Sequence, residues 1–218
     1  LKLLNFSKNL LWVVLIVAIV GGFFIWQNSN KQPKELQHIT VGIQTSPAMA
    51  LVMVAKDKGF FEKQGLDVEL KEFTAGKFAL EAFLGGSLDF SISGDVPVTL
   101  STMNGSRFLV PAQVVGRTKN EVRVVARTAA GLDTDDKYFK TKKRKLATSF
   151  GGGPEFFTFE FLNKLGITKD QVEILSQTPK DMPAALISGS VDAIAIFDPF
   201  AFIAEKQLGD KAITFTDE

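Results

Sequence analysis

Gly86-Ser87-Leu88-Asp89-Phe90-Ser91-Ile92-Ser93-Gly94-Asp95-Val96-Pro97 returns in outline as Gly189-Ser190-Val191-Asp192-Ala193-Ile194-Ala195-Ile196-Phe197-Asp198-Pro199. In each copy a Gly-Ser pair closes a helical pattern, and an Asp then precedes a short apolar run of strand length. A second Asp follows six positions after the first, with proline immediately or shortly behind it. Each copy therefore reads as a helix, a buried strand and the start of a new helix.

The likeness extends upstream. Gln64 to Leu70 turns a helix into a strand before the first copy, and Leu165-Gly166-Ile167 with Val172 to Leu175 does the same before the second. Further back, each half opens with a strand (Ile39 to Ile43; Lys145 to Ser149), a loop of small residues and a proline (Pro47; Pro154) that leads into a helix. Gly-Ser-x-Asp alone is a common joint between helix and strand; the shared order around it makes two lobes the better account. The alternation predicts an α/β fold of two similar lobes, each a mostly parallel sheet flanked by helices.

Composition narrows the function classes. The chain has 218 residues, with 25 basic and 24 acidic side chains, so no global field points to nucleic acid. It has no cysteine, which excludes disulfides, thiolate catalysis, cysteine zinc sites and a cysteine-borne lipid anchor. Its single histidine, His38, precedes the first strand and reads as a surface residue. No cofactor or metal is expected.

Leu10 to Trp26 carries no charge, and Lys2 and Lys8 precede it. Its seventeen residues lie at the short end of the ~17 to 25 that span a bilayer. The run reads as an export signal or an uncleaved anchor. It would tether the protein at the periplasmic or extracellular face of the membrane, or release it to the periplasm if cleaved. The expected divisions are a signal or anchor over 1–30, a linker over 31–38, the first lobe over 39–128, the second over 129–211, and a return crossover from 212 to 218. Within the first lobe, Phe108 to Val115 and Val122 to Arg127 read as two further strands. The mixed-charge stretch from Ala129 to Lys145 reads as a solvated connector between lobes, and Ala212 to Thr216 as one more strand.

In open parallel sheets ligands bind beyond the carboxyl ends of the strands, where helices begin. Here those positions hold Gln44 and Ser46; Ala75 and Gly76; Ser93, Gly94 and Asp95; Ser149, Gly151, Gly152 and Gly153; and Phe197 and Asp198. Helix starts rich in Gly, Ser and Thr suit a small anion or an oxygen-rich headgroup. Asp95 and Asp198 either face a ligand or cap their helices, and Phe197 either stacks on a ligand or fills core. Gly76-Lys77 is not a phosphate loop, since Lys71 and Phe78 break the Walker pattern. Gly-x-Ser-x-Gly, His-Glu-x-x-His and Gly-x-Gly-x-x-Gly are absent, and no enzyme activity is expected.

Three stretches carry a resemblance: Ala50 to Phe73, Thr74 to Val98 and Ala184 to Leu208. They resemble the solute-binding proteins of ABC importers for sulfonates, nitrate and taurine, together with relatives that bind thiamine-precursor pyrimidines. Glu72-Phe73-x-Ala75-Gly76, Gly94-Asp95-x-Pro97 and Asp192-Ala193-x-Ala195-Ile196-x-Asp198-Pro199 look most like the aliphatic-sulfonate branch. The resemblance implies the type 2 periplasmic-binding-protein fold, hinge closure on a small anionic or zwitterionic solute, and delivery to an ABC permease. It also implies that closing elements of the first lobe follow Glu218. By position it carries the family's cleft residues to Ser46, Ala75-Gly76, Gly94-Asp95, Ser149 to Gly153, and Asp198. Two departures bear on the solute: Phe197 stands where Trp is common, and three glycines stand where a Lys-Gly-Ser-like loop is frequent. Two alternatives stay open: the extracellular sensor domain of a signalling protein, and an enzyme like the thiamine-pyrimidine synthases. The absence of cysteine argues against the latter, because those synthases rely on a cysteine-rich motif.

Overall fold

The computed structural model of the chain describes residues 12–23, 35–116, 121–128, 135–168 and 170–216. It falls into two units, Leu1–Gln37 and His38–Glu218. In the first, residues 12–23 form helix α1, whose apolar side chains are exposed. At ~1.5 Å per residue the described part of this helix is about 18 Å long, against ~30 Å of bilayer hydrocarbon. Among the described residues no helix is long and apolar enough to cross a membrane. Leu10, Leu11 and residues 24–26 of the apolar stretch lie outside the described residues, as do residues 31–34 of the expected linker.

The second unit is built on two sheets. The first has the order β2-β1-β3, with β1 at Gln37–Gln44, β2 at Leu66–Phe73 and β3 at Phe90–Ser91. Helices α2 (Ala50–Asp57), α3 (Phe60–Lys63) and α4 (Gly76–Leu84) connect these strands, and α5 (Asp95–Met103) follows them. The second sheet has the order β6-β5-β7-β4-β8. Its strands are β4 (Arg123–Arg127), β5 (Arg144–Thr148), β6 (Val172–Ser176), β7 (Ala193–Ile196) and β8 (Ala212–Phe215). Around it lie α6 (Asp135–Lys140), α7 (Gly153–Lys164), α8 (Met182–Ser188) and α9 (Phe200–Leu208).

The repeated motif does the same work in both sheets. Gly86 and Gly189 take φ values of 76° and 80°, a left-handed turn that a residue with a Cβ adopts only under strain. Behind each, the serine N–H reaches back to close the helix: Ser87 to the Ala82 carbonyl at 2.9 Å, and Ser190 to the Ala185 carbonyl at 3.0 Å. The following strands run parallel to the first strand of each repeat in matching register, Phe90 beside Val41 and Ala193 beside Leu146. The aspartate just before each strand clamps the neighbouring one. Asp89 accepts from the Thr40 N–H at 2.7 Å and hydroxyl at 2.8 Å, while Asp192 accepts from the Lys145 N–H at 2.9 Å.

The main core sits on the second sheet. Every residue of β7 is fully buried, because helices cover both of its faces. A chain of rings ties α6, α7 and β8 together: Phe139 meets Phe161 edge-on at 6.0 Å between centroids, and Phe161 stacks on Phe215 at 6.5 Å. The first sheet has a much smaller buried cluster of Ile43, Met49 and Val52.

Four expectations need correction. Residues 108–115 form no strand; they run unpaired, with Leu109 91% exposed and Val110 66% exposed. Their apolar pattern suits a strand, but a strand also needs a neighbour, and among the described residues none lies beside them. Second, Arg123–Arg127 belongs to the second sheet, where β4 pairs antiparallel with both β7 and β8. The chain thus changes lobe before residue 123 rather than at 129. Third, Ala212–Phe215 completes that same sheet instead of starting a return crossover, so the second sheet is mixed: β6, β5 and β7 are parallel, and β4 and β8 are antiparallel to their partners. Fourth, the basic stretch is not wholly solvated. Arg144 is buried, with Nε donating to the Tyr138 carbonyl at 3.1 Å, its guanidinium 4.3 Å from the Tyr138 ring centroid and Nη1 3.6 Å from Asp192 Oδ1. As the first residue of an interior strand it must enter the core, and Asp192 supplies the opposite charge. Tyr138 donates its hydroxyl to the Asp192 carbonyl at 2.9 Å, and burial pushes its phenol up to about 12.

Candidate functional site: the carboxyl edges of the two sheets

The strand registers decide which loops leave each sheet together. In the first lobe Gly42 is level with Ser91, so Gln44 and Ser93 emerge at one edge. Gly76, the first residue of α4, joins them by donating its N–H to Gln44 Oε1 at 3.1 Å. A Cβ at Gly76 would lie 3.0 Å from that oxygen and 3.0 Å from the Ser93 Cα, so only glycine lets these three segments meet. Ser93 Oγ is buried beside Gly76 with no hydrogen-bond partner among the described residues. A buried hydroxyl without a partner costs ~1–3 kcal/mol, which a ligand acceptor would recover.

The other predicted residues of this lobe are placed as follows. Ser46 is buried and caps the short turn Pro47–Met49, its hydroxyl accepting from the Ala48 N–H at 3.2 Å. Ala75 is extended and buried; with Phe78 it packs against the core of the second lobe. Gly94 is the N-cap of α5, and Asp95 lies just inside the helix, exposed, with Oδ1 accepting from the Val96 N–H at 2.9 Å.

In the second lobe Thr148 is level with Ala195, so the loop from Ser149 to Gly153 and the segment Phe197–Asp198 share an edge. Ser149 is buried, Gly151 donates its N–H to Glu155 Oε2 at 2.7 Å, and Gly152 is the N-cap of α7, which begins at Gly153 with no side-chain cap. Phe197 turns into the core, edge-on to Phe200 at 5.9 Å. Asp198 Oδ1 accepts from Arg123 Nη2 at 2.9 Å and from the Phe202 N–H at 3.2 Å. Arg123 enters at this edge because it lies opposite Ile196 in the antiparallel pair. It also forks onto Glu205, with Nε and Nη2 each 2.8 Å from a carboxylate oxygen, and the Thr214 hydroxyl adds a bond of 2.8 Å. The hydrogen bond to Glu205 raises Arg123 above its already high value, and the one from Arg123 holds Glu205 below the ordinary carboxylate range.

Lys77 connects the two edges. From the first turn of α4 its Nζ donates to the Phe150 carbonyl in the loop of the other lobe, and it lies 4.7 Å from the Phe78 ring centroid. Sequence reasoning passed over Lys77, Arg123, Glu155 and Glu205. Only Lys77 carried a signal: a cation in the first turn of a helix opposes the helix dipole and so needs another reason to be there. Among the described residues no group of three or more His, Asp or Glu side chains could hold a metal ion.

Known proteins share this fold. A Bacillus subtilis protein named for binding aliphatic sulfonates is 27% identical over 214 residues, covering 95% of this chain and 61% of that protein. The alkanesulfonate-binding protein SsuA of Xanthomonas axonopodis pv. citri, solved with MOPS bound, superposes with a TM-score of 0.68 at 24% identity, covering 83% of this chain and 60% of that one. The periplasmic aliphatic sulphonate binding protein SsuA of Escherichia coli gives a TM-score of 0.62 at 24% identity, covering 83% and 59%. The chain thus spans about three-fifths of the length of these relatives. The model of the NMT1-like family matches residues 32–218, and the chain belongs to that family.

Proposed function

We propose that the chain is a solute receptor of an ABC importer, which closes its two lobes on a small anionic or zwitterionic solute of the sulfonate, nitrate or taurine kind and presents it to a membrane permease. The observation that carries this reading is the junction of the two carboxyl edges. Gln44, Gly76 and Ser93 meet on one side, the uncapped start of α7 lies on the other, and Lys77 reaches between them. The sulfonate-binding relatives support the solute class, and hinge closure is a general property of periplasmic binding proteins. We further propose that the apolar stretch Leu10–Trp26 holds the receptor at the outer face of the membrane.

The test is a thermal-shift screen of the full chain in mild detergent against alkanesulfonates, taurine, nitrate, pyrimidines and amino acids. A ligand at 100 times its dissociation constant stabilises the fold by ~2.7 kcal/mol, a readily measured shift. Gly76→Val, which forces Gln44 and Ser93 apart, should abolish the shift. A well-folded protein that no solute stabilises would overturn the reading. Membrane fractionation that finds the chain wholly soluble would overturn the tether.

A further inference from the structure

Lys77 is oddly placed on three counts. It stands in the first turn of α4, where a positive charge opposes the helix dipole and cannot serve helix stability. Its ammonium is partly buried and bonded to a neutral group, the Phe150 carbonyl, and no carboxylate lies within 4.0 Å of it among the described residues. A cation withdrawn from water is normally met by an opposite charge. Third, it spans the lobes: its stem packs against the loop glycine, a Cβ at Gly151 falling 3.7 Å from Lys77 Cδ, while its own helix starts at the Gly76 junction with Gln44 and Ser93.

The two acids at the edge of the second lobe are spoken for. Glu155 holds the Gly151 N–H, and Asp198 is paired with Arg123, which leaves Arg123 with two carboxylates and Lys77 with none among the described residues. We infer that Lys77 is the residue that reads the charge of the solute: a negatively charged headgroup in the cleft takes the ammonium as its counter-ion, with the unpartnered Ser93 hydroxyl beside Gly76 as an added donor. The Phe150 carbonyl is then the ammonium's partner across the cleft, so one side chain touches the solute and the opposite lobe at once, and headgroup binding is tied to closure. This rests on the receptor reading and assigns to it a specificity-determining residue.

The experiment uses the full chain and two probes of nearly equal size, ethanesulfonate and its neutral counterpart ethyl methyl sulfone, titrated by calorimetry into the wild type, Lys77→Gln and Lys77→Arg. The expected result is ethanesulfonate binding that falls at least about tenfold in K77Q, recovers in large part in K77R, and loses its decline with added salt in K77Q. Preference for the sulfonate over the sulfone should shrink by the same factor, a change that a merely structural contact between lobes would not produce. Ethanesulfonate binding as tight in K77Q as in the wild type overturns the assignment of Lys77 and leaves the receptor reading standing. Failure of folded wild type to bind ethanesulfonate, or any other solute of the screen, overturns both. Should K77Q fail to fold, K77R and the salt dependence of the wild type decide: salt-independent binding to the wild type, or a K77R variant that prefers the neutral sulfone, overturns the assignment.

Discussion

Asp89 and Asp192 occupy the same place in the two lobes and make the same backbone clamp, yet they stand in different company. Asp89 is on the surface, and its partners are the N–H and hydroxyl of Thr40. Asp192 takes the Lys145 N–H and also faces the buried guanidinium of Arg144, which in turn lies over Tyr138 in the main core. The same local motif therefore supports two different structures: a three-stranded sheet with a small buried cluster, and a five-stranded one sealed by aromatic rings. Local sequence sets the joint between helix and strand, whereas the weight that joint bears depends on what is packed behind it.

The comparison can be broken in the second lobe first. Phe139→Ala removes a fully buried ring that touches Phe161, Tyr138 and Phe215, and should cost about 3–5 kcal/mol in urea denaturation followed by circular dichroism. A loss under half of that would show that the ring cluster does not hold the sheet. Asp192→Ala should come next, at about 2–3 kcal/mol, because it strips both a strand clamp and the counter-charge of buried Arg144. Asp89→Ala should cost clearly less. Equal losses at the two positions would erase the distinction between the lobes.

Two pH effects sharpen it further, with opposite signs. Glu205 is held low by Arg123, so its pair contributes stability above the ordinary glutamate range of ~4.3 and loses it as pH falls through the lowered value. Replacing Arg123 with Gln should therefore reduce stability at pH 7 and narrow the difference near pH 3. In the first lobe His38 is raised by the hydrogen bond its Nδ1 donates to Asp67 Oδ2, 2.8 Å away. That contribution is fully present below the ordinary histidine value of ~6.5 and disappears as pH rises through the raised one. Both side chains are exposed, so this is the smallest effect, visible as a chemical-shift titration of the single histidine that moves toward lower pH in Asp67→Asn.

What could be read in advance follows the same division between local and distant causes. The Gly-Ser-x-Asp joints, the strands at 39–43, 66–73 and 172–175, and the loops that carry Gln44, Gly76 and Ser93 are set by residues near one another in the chain. The partners of β4 and β8 are not: nothing inside Arg123–Arg127 says that it will lie against β7, more than sixty residues away. Residues 108–115 fail for the complementary reason, an apolar pattern without a neighbouring strand. The site divides likewise. Glycines and small residues at helix starts were visible as a pattern, whereas Arg123 reaches Asp198 only because an antiparallel strand brings it there. Lys77 is visible beside Gly76, but the nucleotide-binding pattern that it fails concerns spacing and not which lobe a side chain touches.

Tyr138 is the single tyrosine of the chain, and both tryptophans, Trp12 and Trp26, precede residue 38. Replacing those two by phenylalanine would leave one ultraviolet emitter among 20-odd silent rings, buried where Arg144, Phe139 and Phe215 converge. Its quantum yield and anisotropy would then follow the second lobe alone, without a dye or a label, while the first lobe stayed dark.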